Sequence, residues 1–274
     1  MARKHRSPLP GFVPGLTVTT VYLAVLLVIP LGACVLKTFS LDLSQFIAAV
    51  WSPRARAAYL LTFGASAIAA VLDVLLGVLL AWVLVRYEFP GRRAMDAVID
   101  LPFALPTAVA GLVYSSLYVK NGWYGQFLIP LGIEGAYSRL AIVLVLVFLG
   151  LPFVVRSVQP LLGSLEGEIE EAAASLGASR RQTFWRVILP SLTPALATGF
   201  ALAFARGLGE YGSVVFVSGN MPFRTEIAPV LIVQKLEEFA YAEATAIATV
   251  LLAGSILTLG LISWLEGRNR RYAP

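Results

Sequence analysis

From Ala58 to Val85 the chain carries a single formal charge, Asp73, and every other position is apolar, aromatic, small or hydroxylated. Crossing a hydrocarbon core of about 30 Å takes roughly 20 helical residues, so a run this long reads as a membrane span. Five more runs of the same kind follow approximately Leu16–Leu36, Ala97–Tyr118, Leu140–Val158, Leu192–Val217 and Glu243–Leu265. Lipid offers the backbone no hydrogen-bond partner, and these runs are too long and continuous for barrel strands; each is expected to be a helix. With 58% hydrophobic and 14% charged residues, the 274-residue chain lies far outside the globular range. The expected fold is all-α, a polytopic bundle of six transmembrane helices forming one domain over residues 1–274.

The net charge of +5 could suggest a nucleic-acid partner, but the basic residues are sorted by loop. Arg3, Lys4, Arg6, Arg86, Arg92, Arg93, Arg156, Arg180, Arg181, Arg186, Arg268, Arg270 and Arg271 fall on the side shared by both termini. Lys37, Arg54, Arg56, Lys120, Arg139, Arg224 and Lys235 fall on the other. Cytoplasmic loops carry the excess of Lys and Arg, so both termini are expected in the cytoplasm and no nucleic acid is implied. The stretch MARKHRS leads into the first run without a convincing cleavage site and reads as the start of an uncleaved span. Cys34, the only cysteine, lies within that span, so no intrachain disulfide can form.

Catalytic chemistry finds little support. The one histidine is His5, and no H-E-x-x-H, G-x-S-x-G or cysteine–histidine metal spacing occurs. Without G-x-x-x-x-G-K-[ST] the chain is not expected to bind ATP. Uphill transport would then draw on an ion gradient or on another polypeptide.

One polar stretch, EEAAASLGASRRQTFWRVILPS from Glu170 to Ser191, separates two strongly apolar runs, on the side assigned to the cytoplasm. Leu165, Ile169, Ala172 and Leu176 recur at helical spacing on one face, with Glu166, Glu170, Glu171 and Ser175 around the rest. Gly177 can take a left-handed conformation and end this helix, and a second segment is expected from about Ser179 to near Pro190. Ala172, Ala173 and Ala174 would let another surface approach closely. From amphipathicity alone, an ordinary solvated loop with a helical turn is favoured over a docking elbow.

The spelling goes further. Glu171-Ala172-Ala173, three residues, Gly177, nine residues, Val187, one residue and Leu189-Pro190 resemble the EAA loop of bacterial ABC importer membrane subunits, with Val187 where isoleucine is commoner. That resemblance implies that Glu170, Glu171, Ala172, Ala173, Ala174, Ser175, Leu176 and Gly177 form a coupling helix seated on a separate cytoplasmic ATPase. DLPFALPTAVAGLVYSSLYVKNGWYG (Asp100–Gly125), LPFVVRSVQPLL (Leu151–Leu162) and the stretch Phe204–Ala248 are similar to the T-type permease subunit of sulfate/thiosulfate importers. The G-E-Y-G-x-V-x-F-x-x-G-N portion is shared with molybdate and tungstate permeases and does not choose the anion. What the resemblance implies is a type I importer permease fold, with a core module over 57–266 and a coupling loop over about 164–190. It also implies an ABC ATPase homodimer carrying ATP and magnesium, a W-type permease partner and an extracytoplasmic sulfate- or thiosulfate-binding protein.

Ionisable groups within spans mark places that avoid lipid. Asp73 lies mid-span, and Arg206 and Glu210 are four residues apart on one helical face. Arg206 could lend positive potential to an anion route, but an Arg206–Glu210 or Arg206–Asp73 structural pair is the favoured expectation, since a strong fixed site would trap its ion. Gly207, Gly209 and Gly212 could let the fifth span unwind toward a passing anion, or serve close helix packing. Pro102 and Pro106 should kink the third span and Pro152 the fourth. Trp51, Tyr59, Tyr118 and Trp123 read as interfacial anchors. Two other classes stay open: an ion-coupled secondary transporter using Asp73, Arg206 and Glu210, and a scaffold whose insert recruits a cytoplasmic protein.

Overall fold

The computed structural model describes residues 11–165 and 167–270. The basic residues Arg3, Lys4, Arg6 and Arg271, together with His5 and Glu166, lie outside the described residues. Among those described, five helices are long and apolar enough to cross a membrane. They are Phe12–Thr38 (α1), Pro53–Arg86, Arg139–Ser164, Arg180–Leu208 and Tyr241–Trp264. A short surface helix, Leu43–Val50 (α2), precedes Pro53–Arg86 (α3).

The third expected span is not one helix. It is divided into Arg92–Ile99 (α4), Leu101–Ala104 (α5) and Thr107–Tyr118 (α6). The backbone at Leu105 is extended, with ψ 132°, as the residue ahead of a proline is pushed to be, and the helix restarts after Pro106. The prolines therefore break this span instead of bending it. By contrast, Arg139–Ser164 (α7) runs unbroken through Pro152 and Pro160.

The next helix, Gly167–Ser175 (α8), is followed by Arg180–Leu208 (α9). The expected stop near Pro190 does not occur, because a π-helical turn over Phe184–Ile188 lies just ahead of Pro190 and lets the helix carry on. Such turns rearrange the backbone ladder where a proline would otherwise break it. The fifth span thus begins earlier than expected and ends at Leu208, not at Val217. Beyond it come Val214–Val217 (α10), Ala228–Glu237 (α11) and Tyr241–Arg270 (α12).

The centre of the bundle is the packing of α3, α7 and α9. Small residues make it close. Val154 of α7 sits between Gly77 and Gly199: a Cβ on Gly77 would lie 2.7 Å from Val154 Cγ1, and one on Gly199 would lie 2.9 Å from Val154 Cα. Helices in lipid gain little from hydrophobic exclusion and depend on such backbone approach for dispersion contact. Around this contact Leu84, Val155, Val158, Leu162, Leu192 and Phe204 complete a hydrophobic core. On the flank α12 packs against α1, with Thr38 Oγ1 and Thr249 Oγ1 3.1 Å apart, while residues Phe12–Leu23 of α1 bury no side chain.

Ion pairs collect at the two ends of the bundle. At one end Arg54 grips Glu226 through Nε (2.8 Å) and Nη2 (2.6 Å) and also bonds Gln234, while Arg139 Nε donates to the carbonyl of Arg224. At the other, Arg156 donates to Asp100 at 2.9 and 2.5 Å and to Asp96 at 2.7 Å, clamping α4 and the break at Asp100 against α7. The Asp96 carboxyl is held below its ordinary range, chiefly by the Gln159 amide and then by Arg156. Arg86 belongs to this same end, paired with Glu170 at 2.5 Å. The separation follows the two sets of basic residues read from the sequence.

Candidate functional site

The Glu170–Ser191 stretch forms a helix, a turn and a second helix. The first stops because Gly177 takes φ +82°. Gly177 N donates to the carbonyl of Ala174 (2.9 Å) and Ala178 N to that of Ala173 (3.0 Å), a Schellman turn that satisfies the last carbonyls of α8. The second starts at Ser179 by a capping box: the Ser179 N–H donates to Gln182 Oε1 (2.8 Å), and the Gln182 N–H donates to Ser179 Oγ (3.4 Å). The elbow is thus built by local rules on both sides of residues 176–178.

Ile169, Ala172 and Leu176 share one exposed face, as the periodicity suggests, but Leu165 does not join it. Leu165 lies before α8 in extended backbone and takes no part in the helix. The apolar side chains Ile169 and Leu176 are 45% and 89% exposed, and Glu171, Ala172, Ala174, Ser175 and Gly177 are exposed with them. Glu170 and Ala173, three residues apart, are the half-buried edge turned to the bundle. On that edge Glu170 Oε1 accepts from Arg86 Nη2. An apolar stripe left open beside a polar rim is a surface suited to another protein.

Within the bundle, Arg206 Nη1 and Glu210 Oε2 lie 2.5 Å apart, the favoured expectation. Glu210 stands just beyond the end of α9, is 2% exposed, and accepts from the Ser213 N–H (2.7 Å) and the Ser213 hydroxyl (2.8 Å). It shapes the chain between α9 and α10 as well as neutralising Arg206. Asp73 does not join that pair. It is 1% exposed, neither carboxylate oxygen has a hydrogen-bond partner, and its Oδ2 occupies the space where a Cβ on Gly150 would stand. Ser66, two turns earlier on α3, is likewise buried with its hydroxyl unpartnered and lies against Gly207.

The three glycines differ in their surroundings. The helix does unwind at Gly209, around which a Cβ would meet nothing within 4 Å. Gly207 and Gly212 instead allow close packing, on Ser66 and on Thr107. Gly111 lies against the Ser213 backbone, and Ser115 Oγ donates to the Phe216 carbonyl at 2.7 Å, fixing α6 to the segment that follows Gly212.

Arg86 and Trp82 went unrecognised as parts of the elbow from sequence. Arg86 is the last residue of α3, its guanidinium carbon lies 5.6 Å from the centre of the Trp82 ring, and Trp82 meets Phe184 edge to face at 5.7 Å. The available sign was a basic residue ending a span with a tryptophan four positions earlier, which any span end can show.

The bundle, with five described helices long and apolar enough to cross a membrane, defines a multi-pass helical membrane protein. The chain belongs to the family described as "Binding-protein-dependent transport system inner membrane component", which matches residues 73–271. It is 52% identical over 254 residues to the "Sulfate transport system permease protein CysT" of Synechococcus elongatus, covering 93% of this chain and 91% of that protein. It is 44% identical over 270 residues to the protein of the same description in Escherichia coli, with 98% of both covered. The fold is shared with a chain of a bacterial ABC transporter involved in the import of the acidic polysaccharide alginate, at a TM-score of 0.76, 17% identity and 94% and 95% coverage.

Proposed function

We propose that this chain is the permease subunit of an ATP-driven importer of sulfate or thiosulfate in the bacterial cytoplasmic membrane. Both termini and the Glu170–Ser191 elbow would face the cytoplasm, as the basic residues favour. The observation that carries this reading is the elbow itself: α8 turns its apolar stripe away from its own bundle, where an ATPase homodimer holding ATP and magnesium would cover it. The relatives described as sulfate permeases support the choice of cargo. The remaining partners are a W-type permease subunit, an extracytoplasmic binding protein and the surrounding lipid, with the core module over 57–266 and the coupling loop over about 164–190.

Transport on this reading needs two packings of the bundle that differ in affinity for the closed motor. Closure of the ATPase dimer draws α8 with it, the bundle opens outward to receive the anion from the binding protein, and hydrolysis resets it. Reconstituted with these companions in liposomes, the chain is expected to accumulate labelled sulfate only when ATP and the ATPase are both supplied. Accumulation by the chain alone on a proton or sodium gradient would overturn the reading. Stronger competition by molybdate than by thiosulfate would keep the importer and change its cargo, a choice that the shared Gly209–Asn220 stretch does not make by itself.

A further inference from the structure

We infer that the Arg86–Glu170 pair is a latch that carries the displacement of the coupling helix into α3, so that Glu170 acts toward the bundle and not toward the ATPase. The inference rests on the importer reading and deepens it. Among the described residues, bends flank α8 along the chain. Upstream, Leu165 is extended with ψ 108°, so α7 and α8 are not one continuous rod. Downstream, the glycine turn at Gly177 separates α8 from α9. A push on α8 reaches the bundle stiffly only through side contacts, and one is a charged hydrogen bond: Arg86 Nη2 to Glu170 Oε1 at 2.5 Å.

The receiving side of that contact is braced. Arg86 closes the last turn of α3, where a cation is favoured by the helix carbonyls, and its guanidinium lies over the Trp82 ring one turn back. The same ring is met edge to face by Phe184, at the start of the π-helical turn in the second limb of the elbow. Both limbs therefore converge on one turn of α3, from Trp82 to Arg86. Leu84, within that turn, is fully buried in the core that includes Val154, Val158 and Leu192, so α3 is joined there to α7 and α9. Arg86 Nε is buried without a hydrogen-bond partner, so the contact with Glu170 runs through Nη2.

The two side chains are 23% and 35% exposed, a setting in which an ion pair contributes little to folding. Its loss should show as lost coupling and not as lost assembly. The test uses the reconstituted complex with its ATPase, scoring sulfate taken up per ATP hydrolysed. Arg86→Gln is expected to co-purify with the ATPase at unchanged stoichiometry while that ratio falls on the order of 2- to 30-fold, the span of mutational effects on coupling. Arg86→Glu combined with Glu170→Arg should restore most of the ratio. An unchanged ratio in Arg86→Gln, or a charge exchange no better than Arg86→Gln, overturns the latch. Should Arg86→Gln not reach the membrane, the exchanged pair decides alone: assembled and coupled supports the latch, unassembled or uncoupled overturns it. Failure of the unaltered complex to show ATP-dependent uptake would defeat the importer reading instead, so the two failures are distinguishable.

Discussion

Arg206 and Glu210 illustrate how a charge tolerated in a membrane bundle is kept by its partner. Glu210 is almost wholly buried and shares its two oxygens between Arg206 and Ser213. Removing one member of such a pair leaves the other uncompensated, which costs about 3–5 kcal/mol, whereas removing both together costs far less. Arg206→Gln is therefore expected to lower the thermal stability of the purified chain more than Arg206→Gln combined with Glu210→Gln. Equal stabilities for single and double variants, measured by thermal unfolding in detergent, would mean that the pair is not what holds Glu210. Asp73 is the opposite case, because its oxygens are equally buried and have no partner. Its place opposite Gly150, at the meeting of α3, α7 and α9, puts the least satisfied polar group of the core where two packings of the bundle would have to exchange contacts.

At the scale of elements, glycine spacing controls how close the three central helices come. Val154 fills the gap between Gly77 and Gly199, and at Gly199 the obstacle to a Cβ is the Val154 backbone, which cannot rotate away. Gly199→Ala should force α7 and α9 apart and cost about 1–3 kcal/mol, the usual penalty of overpacking. Gly209→Ala, where a Cβ meets nothing, should be close to neutral, and a stability loss there as large as at position 199 would refute the packing account. The same contrast explains what was legible beforehand. Long apolar runs announce helices, and Gly177 with the restart at Ser179 announces the elbow, because turn and cap chemistry is local. Pro106 and Pro190 look alike in sequence and act differently. One follows a helix that ends at an extended residue, while the other is passed after a π-helical turn. The pairing of Arg86 with Glu170 joins residues 84 positions apart and has no local signature.

Across the whole molecule, the two ends carry different chemistry, and that asymmetry makes the proposed orientation testable. The end with Arg54, Glu226 and Arg139 is tied by charges to the segment between α10 and α11, whereas the end with Arg86 and Arg156 carries the elbow. Leu176 is the most informative position on that elbow, because it is 89% exposed and stands beside the Gly177 turn without supporting the bundle. In a Cys34→Ala background, Leu176→Cys should react with a membrane-impermeant maleimide in inside-out vesicles and not in intact cells. If the open apolar stripe of α8 is where the motor sits, adding the ATPase should slow that reaction; a cysteine at Arg224, at the far end of the bundle and exposed, should instead react in intact cells and not in inside-out vesicles. Labelling of Leu176→Cys in intact cells would invert the orientation. Labelling in inside-out vesicles that the ATPase does not slow would leave the orientation standing and remove the elbow from the contact, since a side chain this exposed can be shielded only by something placed directly upon it.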